Sequence, residues 1–183
     1  MRLSKSDATY ATGNKLIINR VFGKLSHATF TIKPIREFVM RYVGDGKLWF
    51  DPFAGANSPA ESTNDWNPEM PTDLHLPAEE AVKLVEGPLR GVIFDPPYSY
   101  RQVTEHYKAV GRKATQRDTS YNFYRRVMEP LAEEIEIGGY ALSFGWNSNG
   151  FGKSLGFEKV EILLVGHGGH HNDTICLAER KIL

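Results

Sequence analysis

The chain has 183 residues, of which 41% are hydrophobic and 24% are charged, so it is long enough for one domain with a buried core. Its 22 basic and 22 acidic residues cancel, which argues against a protein that coats nucleic acid through overall positive charge. No apolar run reaches membrane-spanning length, and the opening MRLSKSDATYATGNK lacks the apolar core of a secretion signal. The single cysteine, Cys176, excludes an internal disulfide, and we expect a cytoplasmic protein that does not enter a membrane.

Predicted strands and helices alternate through the first half of the chain. Residues 1–26 have weak periodicity and are expected to be a loosely ordered N-terminal segment. The segment KPIREFVMRYV places its apolar residues on one helical face, after a proline suited to a first turn. Strands are then predicted in KLWFDPFAG and ESTNDW, followed by a short extended TDLHL, a helix in PAEEAVKLV and a strand in LRGVIFDPP.

The second half is predicted to contain a helix and three strands. The helix covers NFYRRVMEPLAEEI, and the strands are GYALSFGW, EKVEILLVG and DTICLAERK. The glycine-rich HGGHHN between the last two strands predicts a hairpin. The fold class is therefore α/β, with a mostly parallel sheet and an antiparallel C-terminal hairpin. No second domain is left over, so residues 1–183 are interpreted as a single domain.

Two polar loops follow predicted strands and are candidates for a binding site. One is DPFAGAN, residues 51–57, and the other is DPPY, residues 95–98. In open α/β sheets, ligands bind beyond the carboxyl ends of the strands. Gly55 would let the backbone approach a ligand closely, and Asp65 follows the next strand, where nucleotide-binding sheets hold ribose hydroxyls. Each of these features, taken alone, also fits an ordinary turn.

The Asp-Pro-Pro-Tyr stretch has a more specific interpretation. Paired prolines fix the backbone and remove two N–H donors, which leaves free carbonyls on a rigid loop. A carboxylate beside such a carbonyl offers two acceptors, and these match the two hydrogens of an exocyclic amino group. Tyr98 adds a face on which a planar base can stack. Asp95, Pro96, Pro97 and Tyr98 are interpreted as a holder for an amino-bearing ring; the alternative is a simple strand terminator.

DPFAG and DPPY together, with HATFTIKPIREFVMRYV before them, resemble the S-adenosylmethionine-dependent amino-methyltransferases, in particular the adenine-N6 DNA methyltransferases. The resemblance runs from about His27 to Tyr98, and the short chain with its C-terminal hairpin looks most like small phage-type members. It implies a Rossmann-like class I methyltransferase fold with seven strands. It also implies S-adenosyl-L-methionine as cofactor, DNA as the nucleic-acid partner, and the cytoplasm of a bacterium or phage-infected host as location.

The resemblance also implies roles for individual residues. Asp95, Pro96, Pro97 and Tyr98 would be the catalytic tetrapeptide. The implied contacts of the cofactor's methionine part are Phe30, Lys33, Asp51, Phe53, Ala54, Gly55 and Asn57. The implied contacts of its nucleoside are Asp65 at the ribose hydroxyls, and Trp66 and Asp73 at the adenine. Asn57 stands where the family often has a second glycine, and asparagine tolerates the same left-handed turn.

Residues 99–126 are basic and rich in tyrosine, and we interpret them as a substrate-facing insert. Basic side chains would meet phosphates, and rings would meet unstacked bases. The substrate-binding candidates are Tyr100, Arg101, Lys108, Arg112, Lys113, Arg117, Tyr121 and, from the hairpin, His170. The alternative is a solvated loop and helix face. His167, His171 and Asp173 lie near His170, but we expect no metal because methyl transfer needs none.

The resulting interpretation is a methyltransferase that flips an adenine out of DNA and methylates its N6 nitrogen. One rival is an RNA-base methyltransferase, for example one acting on guanine N2 or adenine N6. The other is an inactive cofactor-binding module with a regulatory role. We expect no separate target-recognition domain, and we expect the insert, a homodimer or a partner protein to determine the target.

Overall fold

A computed structural model describes residues 15–26, 28–97, 111 and 121–183. The strands are β1 (Ile17–Phe22), β2 (Trp49–Asp51), β3 (Ser62–Thr63), β4 (Leu89–Phe94), β5 (Ile135–Gly145), β6 (Phe157–Gly166) and β7 (Thr174–Lys181). The α-helices are α1 (Lys33–Val43), α2 (Ala78–Ala81) and α3 (Tyr121–Glu134). Short 3₁₀ helices cover Thr29–Thr31, Val82–Leu84 and Lys153–Leu155.

The seven strands described form one sheet in the order β1-β6-β7-β5-β4-β2-β3. Every neighbouring pair is parallel except β5–β7 and β6–β7, because β7 runs against both of its neighbours. The mostly parallel sheet and the antiparallel C-terminal hairpin predicted from the sequence are therefore confirmed. The carboxyl ends of β2, β3, β4 and β5 lie along the same edge of the sheet, which we call the carboxyl edge.

Helix α1 has the bounds predicted from its apolar spacing. Pro34 lies in the first turn, where its missing N–H leaves no helical bond unmade. Ile35, Phe38 and Val39 are almost fully buried, so one face of the helix packs on the sheet. Gly44 ends the helix with a φ of 62°, a conformation that glycine adopts at little cost.

Helices cover both faces of the sheet, so successive residues of a central strand enter different parts of the core. Val92 of β4 packs in a cluster with Val127 and Leu131 of α3. The next residue, Ile93, packs in a second cluster with Phe38 of α1. Because side chains alternate between the two faces, a strand buried on both is continuously apolar, and this explains GVIF in the sequence.

The structure differs from the sequence prediction at β1. Residues 17–22 lie in the segment expected to be loosely ordered, yet they pair in parallel with β6 from Ile17–Glu161 to Phe22–Gly166. All six side chains of β1 are exposed, so its backbone bonds hold it at the sheet edge. An exposed strand has no buried face to impose alternation, and its sequence therefore gave no periodic signal. Within the described part of the chain, no helix has both the length and the apolar character needed to cross a bilayer.

Candidate active site

Three neighbouring strands bring acidic side chains to the carboxyl edge. Strand β2 ends at Asp51, β3 is followed by Asn64 and Asp65, and β4 is followed by Asp95. The charges of Asp65 and Asp95 both act on the Asp51 carboxyl. Asp51, Asp65 and Asp95 are called the acidic cluster below. The sequence placed both candidate loops after predicted strands, and because β2 and β4 are neighbours the structure brings these residues to the same edge.

Asp51 organises the loop that follows β2. Its side chain is fully buried, and its Oδ1 accepts the N–H of Phe53 at 2.9 Å. Its Oδ2 accepts the hydroxyl of Ser58 at 2.7 Å, so the carboxyl joins both ends of the loop. Burial raises the pKa of Asp51 to about 7, and the nearby charges of Asp95 and Asp65 act in the same direction.

Gly55 and Asp65 connect the loops after β2 and β3. The N–H of Gly55 donates to Oδ2 of Asp65 at 3.0 Å, while Oδ1 of Asp65 accepts the N–H of Asn67 at 2.8 Å. Gly55 has a φ of 54°, which explains a glycine at this position. A Cβ built on Gly55 would meet no atom within 4 Å, so the turn borders open space. A ligand can approach the backbone there.

Asn64 is a buried residue of this site that the sequence interpretation missed. Its Nδ2 donates to the carbonyls of Pro52 and Leu76, both at 3.0 Å, and its Oδ1 accepts the N–H of Leu76 at 3.0 Å. The amide thus ties the loop after β2 to the segment before α2. The one available signal was a polar side chain directly before Asp65 at the end of a predicted strand. Its partners are distant in sequence and could not be predicted.

Asp95 is bonded by a residue from the N-terminal side of α1. The hydroxyl of Thr29 donates to its carboxylate, which lowers the pKa, but burial has the larger effect and raises the pKa of Asp95 to about 7. Thr29 belongs to the 3₁₀ turn that leads into α1. Thr29 was not among the residues selected from the sequence. The segment before α1 therefore contacts Asp95, the acid that follows β4.

The Asp-Pro-Pro corner, residues 95–97, is bonded by Thr29 at Asp95 and is also held by α3 at Pro97. Pro96 is buried, and the carbonyl of Pro97 accepts the hydroxyl of Tyr124 at 2.6 Å. The Tyr124 ring meets Phe94 edge to face, with ring centroids 6.2 Å apart. Burial raises the pKa of Tyr124 to about 12, so its hydroxyl remains a donor at neutral pH. The corner is thus fixed by a bond whose donor lies on a helix.

Other cofactor candidates lie around the loop after β2. Phe53 is half-buried, and its ring meets Phe94 edge to face with centroids 5.5 Å apart. Ala54 is buried and its N–H donates to the carbonyl of Asn64 at 2.9 Å. Asn57 is exposed in the turn, and Trp66 is half-buried directly after Asp65. All four residues therefore lie close in sequence to Asp51 or Asp65.

Three candidates have their side chains engaged elsewhere. Phe30 is buried in the core, edge to face with Phe144 at a centroid separation of 5.3 Å. Lys33 is exposed on α1, with its Nζ 3.9 Å from Glu37. Asp73 is exposed, and its Oδ2 accepts both the hydroxyl and the N–H of Thr63, at 2.7 and 2.8 Å, which lowers its pKa. The structure therefore does not gather these side chains with the acidic cluster.

Most of the substrate candidates lie outside the described residues. They are Tyr100, Arg101, Lys108, Arg112, Lys113 and Arg117, and Tyr98 of the predicted catalytic tetrapeptide also lies outside the described residues. Tyr121 begins α3, and His170 is exposed in the loop between β6 and β7. In that loop the His167 ring bonds the carbonyl of Gly23 and the hydroxyl of Thr174, at 2.9 and 2.8 Å. His167 therefore connects the ends of β1, β6 and β7.

Comparison with known proteins identifies the fold. No family model and no curated protein matches the chain. TrmN from Thermus thermophilus is similar in structure, with a TM-score of 0.55 and 11% identity over 82% of this chain and 49% of that chain. An rRNA methylase from Streptococcus thermophilus has a TM-score of 0.50 and 12% identity over 87% of this chain and 99% of that chain. The chain thus spans about half the length of TrmN, and the predicted Rossmann-like methyltransferase fold is confirmed.

Proposed function

We propose that this protein transfers a methyl group from S-adenosyl-L-methionine to an exocyclic amino group of a nucleobase, with adenine N6 in DNA as the preferred target. The observation that supports this most directly is the meeting of two different loops at the carboxyl edge. One loop, around Asp51 and Gly55, has the features of a cofactor-binding turn. The other, Asp95 to Pro97, has the features of an amino-group holder.

The residues at this edge fit the proposed cofactor. The open turn at Gly55 leaves room for close approach, and Asp65 provides a carboxylate at the end of β3 for ribose hydroxyls. The acidic cluster favours a cation, and S-adenosylmethionine supplies an electrophilic methyl group on a positively charged sulfur when bound. The side chains of Asp51 and Asp65 are fixed by backbone N–H groups, so this arrangement exists before any ligand arrives.

The residues after β4 would orient the nucleobase. The Asp95 carboxylate accepts one hydrogen of the amino group and the Pro96 carbonyl accepts the other, while Tyr98 stacks on the ring. Acceptance of both hydrogens makes the nitrogen lone pair available for attack. The contribution of these residues is orientation and exclusion of water, and the proton lost by the nitrogen passes to solvent. Thr29 and Tyr124 hold the two sides of the corner in place.

RNA is the second candidate substrate. An rRNA methylase is among the structural neighbours, and the match covers 99% of its length. An RNA base with an exocyclic amino group, such as guanine or adenine, presents the same two hydrogens to Asp95 and Pro96. The two candidate functions therefore share one reaction and differ in whether DNA or RNA carries the base.

The test is incorporation of a labelled methyl group into matched duplex DNA, single-stranded DNA and RNA. Asp95→Ala is expected to lower transfer by at least about a hundredfold, because it removes one of the two acceptors that orient the nitrogen. Asp45→Ala is the matched control. Asp45 is an exposed turn residue whose Oδ1 accepts the N–H of Lys47, so its loss should change transfer by less than about twofold.

Each substrate result has a definite meaning. Label in DNA alone supports the preferred proposal, and label in RNA alone supports the second candidate. Binding of S-adenosylmethionine without transfer to any of the three nucleic acids would contradict both. Equal transfer by Asp95→Ala and wild type would remove Asp95 from the proposed mechanism while leaving methyl transfer itself in place.

A further inference from the structure

Trp146 is an exposed aromatic residue at the carboxyl edge that the proposed mechanism does not use. It follows the last residue of β5, and 48% of its surface is exposed. By contrast, Trp49 is 2% exposed and packs in the core. A large aromatic ring that stays half in water gives up the stabilisation available from burial, and such rings are enriched at binding surfaces.

The sheet register places Trp146 beside the Asp-Pro-Pro corner. Phe94 of β4 is paired with Ser143 of β5 in parallel. Pro97 lies three residues after Phe94, and Trp146 lies three residues after Ser143. Both therefore follow neighbouring strands at the same edge of the sheet. The indole is therefore carried by the strand next to the one that presents Asp95.

The loop that carries Trp146 is anchored by a buried carboxylate. Glu179 of β7 is fully buried, and its two oxygens accept the N–H groups of Phe151 and Gly152, at 2.6 and 3.1 Å. The Nζ of Lys159 donates to the carbonyl of Ser148 in the same loop. These bonds hold Ser148, Phe151 and Gly152 against β6 and β7, so the loop that follows Trp146 is anchored before a ligand arrives.

The same loop is packed against the strand of the proposed catalytic acid. Phe151 meets Phe94 edge to face, with ring centroids 5.7 Å apart. Phe94 directly precedes Asp95, so one contact links the loop of Trp146 to the amino-binding corner. A binding group that is already positioned loses little conformational entropy when a ligand arrives.

We propose that Trp146 is a stacking platform for an unpaired nucleobase of the substrate strand. This inference rests on the proposed function, because it takes the base at Asp95 to belong to a nucleic acid. An indole offers a flat apolar face, and every base has a π-face that can stack on it whatever its sequence. The platform would hold the strand beside the corner while Asp95 and Pro96 select the amino group.

The first experiment follows tryptophan fluorescence while a single-stranded DNA or RNA oligonucleotide is added. S-adenosylhomocysteine is present in every sample, which keeps the environment of Trp66 constant. Stacking of a base on an indole quenches its emission, so wild type is expected to lose fluorescence on binding. Trp146→Phe is expected to bind the oligonucleotide with most of this change absent, because Trp49 is buried and cannot stack.

The second experiment measures the KM for the nucleic acid in methyl transfer. Trp146→Ala is expected to raise this KM about tenfold, and Trp146→Phe, which keeps a ring, by less than about threefold. Ile137→Ala is the matched control, because Ile137 is 75% exposed near the opposite end of the same strand. Its KM should stay within about twofold of wild type. Thermal unfolding of each variant checks that the fold is retained.

The outcomes separate this inference from the proposed function. Transfer with normal KM in Trp146→Ala, or quenching that persists in Trp146→Phe, would overturn the platform and leave the proposed function standing. Quenching that disappears in Trp146→Phe, without transfer by any variant, would support the platform and contradict the proposed function. Absence of both quenching and transfer in wild type would contradict both.

Discussion

Two regions of this protein contain buried carboxyl groups, and they stabilise them in different ways. On β6 and β7, Glu161 and Glu179 each lie near a basic residue. Glu161 accepts a bond from Arg41 and another from Tyr42, both at 2.7 Å, and the charge of Lys159 acts on Glu179. A basic group of the chain thus acts on each of these carboxylates, although the hydrogen bonds to Glu179 come from backbone N–H groups and burial raises its pKa.

At the carboxyl edge, the bonds to the buried carboxyls come from neutral groups. Asp51 accepts an N–H and a hydroxyl, and Asp65 accepts two N–H groups. Burial and mutual repulsion raise the pKa of Asp51 to about 7. A buried charge is costly unless an opposite charge lies nearby. In the proposed function, the cationic cofactor would bring a positive charge beside Asp51 and Asp65, whereas Arg41 and Lys159 already act on Glu161 and Glu179.

The largest effect predicted from this comparison concerns cofactor affinity. Asp65→Asn replaces one carboxylate oxygen with an NH₂ group that faces the N–H of Gly55 or Asn67 and can no longer accept it. The affinity for S-adenosylmethionine is expected to fall about 10- to 100-fold, because charge-assisted bonds contribute about 1.5–3 kcal/mol each. Isothermal titration calorimetry measures this affinity directly.

Glu161→Gln is the control for that measurement. It removes one charge from a buried carboxyl of the other region and weakens the bond to Arg41. We expect a lower unfolding temperature, with cofactor affinity within about twofold of wild type. If both variants lost affinity equally, the contrast between a ligand-binding and a structural set of carboxyls would be wrong.

A second prediction concerns pH. Asp51 and Asp95 each have a pKa of about 7, so each is mostly ionised at pH 8 and mostly protonated at pH 6. In the proposed function, protonation would remove the negative charge that attracts the sulfonium of S-adenosylmethionine. The affinity for S-adenosylmethionine should therefore fall about tenfold from pH 8 to pH 6 for each group that must be ionised. Calorimetry at the two pH values measures this change.

S-adenosylhomocysteine provides the internal control for the pH experiment. Its sulfur is a neutral thioether, so protonation of the acidic cluster removes no attraction to that atom. Its affinity is expected to change by less than about threefold between the same pH values. Equal pH dependence for the two compounds would show that the acidic cluster does not recognise the sulfonium charge.

The sequence predicted those parts of the fold whose pattern comes from burial. Helix α1 has one apolar face and was predicted with its observed bounds, and the apolar run before Asp95 predicted β4. The glycine-rich turn predicted the β6–β7 hairpin. Strand β1 was missed because its side chains are exposed and leave no pattern; pairing with β6 and a bond from Arg20 to Asp173 hold it in place.

The candidate site was predicted less completely, for a different physical reason. Asp51, Gly55, Asp65 and Asp95 lie at or just after the ends of strands, so their shared edge could be predicted from the order of the elements. Thr29, Ser58 and Asn64 could not, because each acts through a bond whose partner depends on the folded path of the chain. The roles of Tyr98 and of the basic residues in 99–126 remain predictions.

The smallest predicted effect concerns the bond between Tyr124 and the Pro97 carbonyl. Tyr124→Phe removes only the hydroxyl that donates at 2.6 Å and keeps the ring that packs on Phe94. The loss of one such bond is worth about 1 kcal/mol, so kcat is expected to fall about fivefold. The KM for S-adenosylmethionine should stay near wild type, because the Tyr124 hydroxyl donates to the corner after β4, whereas Asp51 holds the loop after β2. Steady-state kinetics separates the two parameters.

Tyr42→Phe tests whether this effect is specific to the corner. It also removes one partly buried tyrosine hydroxyl, which donates to Glu161 at 2.7 Å in the structural region. Both variants should lower the unfolding temperature by a few degrees, since each loses about 1 kcal/mol. Only Tyr124→Phe should lower kcat, because its partner belongs to the rigid loop that holds the amino group. A similar loss of kcat in Tyr42→Phe would mean that general stability limits turnover, and Tyr124 would then have no positioning role.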